Sequence, residues 1–169
     1  MSGQLKRRGL FASVALLLCV STPAQAAMGC WNDNQVAAAK VRDLQSRLMV
    51  ATLRCQAMGV NVAEAYNRFI AANRTTIQGA NGVILAAFRA GHGGAAQTHY
   101  DRFATALANI YGDDATNAGI CADTAALAEE AASARGDIRQ LVTIADRFGV
   151  PALPGGQCSP DFAAAAETH

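Results

Sequence analysis

Residues Asn34–Met58 read NQVAAAKVRDLQSRLMVATLRCQAM, and this stretch decides the fold. Ala37, Val41, Leu44, Leu48, Ala51, Cys55 and Met58 recur in steps of four and three, which places them on one face of a helix and on no face of a strand. Gly59 follows at once as a natural C-terminal cap.

The same period continues downstream. Asn61 and Glu64 have the spacing of a capping box, and Tyr66, Ile70, Ile77, Ala80, Ile84 and Ala87 form a second stripe ending near Ala90. Gly79 and Gly82 each cost about 1 kcal/mol inside a helix, so the continuity of this segment is the open question. Gly91-His92-Gly93-Gly94 reads as a turn. A third helix is expected from Ala95 to Tyr111, with Ala96, Tyr100, Phe103, Leu107 and Ile110 buried and Gly112 as its stop. After a polar loop at Asp113–Asn117, a fourth is expected to run unbroken to Phe148 through Leu127, Ala131, Ala134, Ile138, Leu141 and Ala145. Nothing alternates with period two, so the class is all-α. The short turns predict an up-down-up-down four-helix bundle.

The cysteines constrain that bundle. Export, argued below, sets an oxidising compartment, and Cys30, Cys55, Cys121 and Cys158 then make two disulfides. Three pairings are possible. In an antiparallel arrangement of helices one and four, only Cys55–Cys121 with Cys30–Cys158 needs no thread across the molecule. A charge pattern proposes the same register. Lys40, Arg47 and Arg54 recur every seven residues, as do Asp123, Glu130 and Asp137. Paired as Arg54 with Asp123, Arg47 with Glu130 and Lys40 with Asp137, their position numbers share one constant sum, as facing residues of antiparallel helices must.

The N-terminus reads as an export signal. Lys6, Arg7 and Arg8 precede an apolar run from Gly9 to Val20, and Ala24-Gln25-Ala26 has the small-residue pattern of a cleavage site. Residues 1–26 are expected to be a cleaved signal peptide, 27–160 a single helical domain and 161–169 a C-terminal tail. The apolar run favours the general secretion route over the twin-arginine route that Arg7-Arg8 also suggests. Leu18 argues against a lipid anchor at Cys19. Loss of three cations leaves 11 basic and 13 acidic side chains, a net of −2, so nucleic acid is not an expected partner. No later run is long and apolar enough to span a bilayer, so no transmembrane segment is expected in the mature chain.

No constellation carries an evident chemistry. His92 and His99, with His169, are the candidate metal ligands, set against the commoner reading as solvated side chains. Asp113, Asp114, Thr116 and Asn117 gather oxygens in one loop, but Ala115 and Ala118 break the calcium-loop pattern and helix capping explains them. Tyr66, Phe69, Tyr100 and Phe103 are candidates to line a ligand pocket between helices two and three, with Asn73 as its polar anchor. Tyr66-Asn67-Arg68-Phe69 and Tyr100-Asp101-Arg102-Phe103 are near-copies that place Arg68 and Arg102 alike. No catalytic set and no cofactor motif emerges, so no enzyme and no cofactor is expected. The sequence reading is a periplasmic or secreted protein with a non-catalytic binding or structural role in the cell envelope, acting on an envelope or extracellular protein partner. The alternative is a bundle that binds a small ligand or a metal.

Overall fold

A computed structural model describes residues 29–158. The expected signal peptide, the tail beyond 160 and His169 lie outside the described residues. Within them the chain is all-helical, with five α-helices: α1 (Asp33–Ala57), α2 (Ala63–His92), α3 (Ala96–Gly112), α4 (Ala118–Ser133) and α5 (Ile138–Ala145). Short 3₁₀ turns follow α2 at Gly93–Ala95 and α5 at Asp146–Phe148. Extended pairing among the described residues is limited to one isolated parallel bridge, Trp31 with Gln157.

The ends of α1 explain its placement. Asn32 accepts from the Gln35 N–H, and the Gln35 side chain accepts from the Asn32 N–H, which closes a capping box that the sequence reading passed over. At the other end Gly59 takes φ +80°, so its N–H reaches the Gln56 carbonyl and the Val60 N–H reaches that of Cys55. This is a Schellman motif, and Val60 packs on the Cys55–Cys121 bridge as the accompanying apolar contact.

Both disulfides pair as expected. Cys55–Cys121 has Cα atoms 5.6 Å apart, and Cys30–Cys158 4.8 Å. A crosslink spanning 66 residues restricts the unfolded chain by about 4 kcal/mol on a loop-entropy basis. The outer bridge is backed by the tail. Trp31 donates its indole N–H to the Pro154 carbonyl at 2.8 Å, and its backbone bonds Gly156 and Cys158. Its ring then packs against Phe88 and Phe103, with centroids 5.7 Å away in each case.

α1 is the hub, touching α2, α3, α4 and α5. Its buried surface is therefore wider than a single seam: Ala38, Ala39, Ser46 and Thr52 are buried beside Val41, Leu44 and Leu48. α2 is continuous through Gly79 and Gly82, because both glycines face solvent while Ile77, Ala80 and Ile84 pack beneath them. Its start differs from the expected capping box: Asn61 accepts from the Ala63 N–H, and Val62 occupies the cap position. In α3, Tyr111 is buried and Ile110 exposed, a shift of the stripe by one residue at the helix end.

The expected single fourth helix is instead two. Arg135 (φ +46°) and Gly136 (φ +90°) both adopt left-handed backbone, and Asp137 then caps α5 by accepting from the N–H groups of Arg139 and Gln140. The reason is the Gly-Asp pair, a helix stop followed by a helix start. The corner is fastened from α2. Asn73, fully buried, donates to the Phe69 and Ala131 carbonyls and accepts the Gly136 N–H at 2.7 Å, while the Thr76 hydroxyl donates to the Gly136 carbonyl at 2.7 Å. α4 thereby packs chiefly on α2, and α5 crosses to α1.

This corner also replaces the expected charge register. Lys40 pairs with Asp146, Arg68 with Glu129 and Arg147 with Glu130, whereas Asp137 caps α5 with Arg139 nearby. None of the three expected α1–α4 pairs is among these. The sulfur bridge, with the apolar contacts around it, joins the end of α1 to the start of α4.

Candidate functional site

A cleft of about 530 Å³ lies where α1, the end of α3, α4 and the turn after α5 converge. That volume suits a small organic ligand. Leu48 and Ala51 of α1 face Ile120 and Leu127 of α4 across an apolar floor. The helical corner at Gly136 makes the cleft, because it brings the chain back to α1 and sets Arg147 and Phe148 at the rim.

Three arginines meet here. Arg47 lies between two aromatic rings, its guanidinium carbon 4.4 Å from the Tyr111 ring centre and 4.1 Å from that of Phe148. Such stacking holds a cation in one orientation and contributes about 0.5–2 kcal/mol per ring, according to how far the contact is desolvated. Its Nε is buried and finds no acceptor among the described residues. Arg54 donates to the Tyr111 carbonyl at 2.6 Å. Arg147 is bound to Glu130 at 2.7 Å. Among the described residues Arg47 and Arg54 form no ion pair with a carboxylate. Asp114 and Asp123, both exposed, line the same cleft.

The wall behind Arg47 is hydrogen-bonded across α1 and α3. The Tyr111 hydroxyl donates to Asp43 Oδ1 at 2.6 Å, in a buried contact. Burial pushes the Asp43 carboxyl above its usual range, against the opposing effects of that hydrogen bond and of Arg47. Burial, and then the bond to Asp43, likewise push the Tyr111 phenol well up. The hydroxyl is therefore a donor throughout the working pH range, and the ring stays neutral under the guanidinium.

The residues named from sequence fall elsewhere. Phe69 and Phe103 are core side chains, and Phe103 belongs to the Trp31–Phe88 cluster. Tyr66 pairs with Phe69 at 6.1 Å, and Tyr100 is half-buried. Asn73 holds the α4–α5 corner, so its polar atoms are engaged within the protein. These five residues line none of the three clefts described for this surface. Arg68 is tied to Glu129, and Arg102 sits on a shallow outer face of α3. Asn117 caps α4 by accepting the Ile120 N–H.

His92 and His99 do meet. Their rings stack with centroids 3.5 Å apart and planes within 2°, next to Phe88. Parallel stacked imidazoles hold their in-plane lone pairs in parallel planes, so they do not converge on a shared ion. Among the described residues no three His, Cys, Asp or Glu side chains gather as a metal site. Partial burial, then the nearby charges of His92 and Arg102, lower the His99 pKa below its usual value.

Sequence reasoning missed the cleft because it assigned Arg47 and Arg54 to an ion-pair ladder and Phe148 to a helix seam. One signal was present: two arginines seven residues apart beside Leu48 and Ala51 put cations on an apolar flank. No family model matches the chain, and no curated protein or solved structure matches it either.

Proposed function

We propose that this is an exported, non-catalytic binding protein of the cell envelope, and that the cleft beside α1 holds a small ligand. The observation that carries the reading is Arg47, a cation fixed between two rings at the edge of an apolar hollow, without a carboxylate partner among the described residues. Two disulfides support an oxidising compartment, and the basic, apolar and small-residue order of residues 1–26 supports export. No helix among the described residues is long and apolar enough to cross a membrane.

The cleft moves the weight from a protein partner to a small molecule. Flat protein interfaces seldom need a concave hollow with a fixed polar anchor, whereas ligand sites are concave, mostly apolar and carry a few placed polar groups. The exposed Leu53, Met58 and Ile110 keep a protein partner as the second reading. Stacked His92 and His99 lend the metal reading no geometry.

The test is native mass spectrometry of the oxidised protein isolated from envelope fractions of its own host, beside a Leu127→Trp variant that fills the hollow. The expected result is a small non-covalent adduct on the wild type that the variant lacks. An adduct retained in full by the folded variant would place the ligand elsewhere.

A further inference from the structure

We infer that the occupant of the cleft is a monocarboxylate with an apolar body, its carboxylate held by Arg47 and Arg54 and its body laid on Leu48, Ile120 and Leu127. This deepens the proposed function and rests on it. Four observations converge on that chemistry.

First, Arg47 is set in advance. A free arginine loses much rotamer freedom when it grips a ligand, but here Tyr111 and Phe148 already hold the guanidinium plane at 4.4 and 4.1 Å. Second, Arg54 is steadied by its bond to the Tyr111 carbonyl and keeps further N–H donors, since a guanidinium carries five. The two arginines lie seven residues apart on one side of α1 and both line the cleft, so each offers a planar donor set to an acceptor bound there. Third, Arg147 is already paired with Glu130, so Arg47 and Arg54 are the arginines of the hollow without a salt-bridged carboxylate among the described residues. Fourth, Asp114 and Asp123, exposed residues of the same lining, have no ion partners among the described residues. They repel a dianion more strongly than a monoanion, which favours a single carboxylate over a phosphate dianion. Apart from Thr116 and from Thr124, whose hydroxyl is bound to the Ile120 carbonyl, the remainder of the lining is aliphatic or aromatic, and it favours a hydrocarbon body over a sugar.

The experiment is calorimetric titration of the oxidised, full-length mature protein with 3-phenylpropionate, 3-phenylpropionamide and phenyl phosphate. The amide keeps the shape and loses the charge; the phosphate adds charge. The expected result is binding of the carboxylate at least tenfold tighter than of either analogue. Arg47→Gln and Arg54→Gln should each weaken the carboxylate by tenfold or more. Arg139→Gln, at an exposed position on α5, should leave it unchanged. Equal binding of carboxylate and amide overturns the charge assignment while leaving the cleft as a binding site. Tighter binding of the phosphate overturns the single-charge assignment in the same way. Absence of heat with all three probes overturns the inference, and the adduct measurement above then tells whether the cleft reading survives it. The three-probe comparison on the wild type stands whether or not the variants fold.

Discussion

Asn73→Ala is the substitution whose consequence the structure specifies most closely. The amide side chain is 1% exposed and joins α2 to both sides of the α4–α5 corner. Truncation removes the acceptor of the Gly136 N–H and one donor to the Ala131 carbonyl. That carbonyl keeps the Ala134 N–H at 3.3 Å, so its loss is partial, whereas the Gly136 N–H has no other partner among the described residues. The Gly136 N–H is half-buried, so loss of its acceptor costs about 1–2 kcal/mol, and the weakened Ala131 contact with the vacated volume adds about 1–2 kcal/mol more. The sum is a loss of about 2–4 kcal/mol, which for a chain of this size lowers Tm by about 8–16 °C. Thermal unfolding followed by the fluorescence of Trp31, the one tryptophan of the chain, measures the global term. Amide hydrogen exchange measures the local one, and protection at Gly136 and Leu141 should fall further than protection in α1. A loss below about 0.5 kcal/mol with unchanged exchange at Gly136 would refute the view that Asn73 fastens the corner.

Other outcomes follow from the same geometry. Gly79→Ala and Gly82→Ala each meet open space in ordinary helical backbone and should stabilise by about 1 kcal/mol in urea unfolding, whereas Gly136→Ala, at φ +90°, should destabilise. Asp43→Asn concerns pH. The folded pKa of Asp43 lies above its ordinary value of 3.8, so its stabilising contribution is full below that value and is lost as pH rises through the folded pKa. The stability of Asp43→Asn relative to wild type should therefore climb from about pH 4 upward and then level off; a difference that shrinks with rising pH would contradict the burial argument. For the stacked imidazoles, NMR titration should place His99 below the usual 6.5, and His92→Gln should raise it by removing a like charge.

The helical class and both disulfides were legible because they rest on local and one-dimensional information. Val41, Leu44, Leu48 and Cys55 repeat with the helix period, and four cysteines on two antiparallel segments admit one unthreaded pairing. The corner at Gly136 was less legible. Leu127, Ala131, Ile138 and Leu141 keep nearly the same period on either side of it, so the stripe conceals the interruption that Gly136-Asp137 signals. The ion pairs were illegible for a related reason. Glu130 lies equally well placed on paper for Arg47 or Arg147, and the choice was made by the turn that brings Arg147 back and by the affinity of the Arg47 guanidinium for two rings. Asn73 was read as a ligand anchor because a polar residue on an apolar stripe signals a special role; its partner, a backbone N–H 63 positions away, is invisible without coordinates.

The assignment of the cleft is tested most directly by mapping backbone amide shifts of the oxidised protein on addition of 3-phenylpropionate. The account predicts saturable changes gathered at Arg47, Ala51, Tyr111, Ile120, Leu127 and Phe148, with α2 silent. Changes centred on Tyr66 and Tyr100, or none at the arginine-lined hollow, would contradict it.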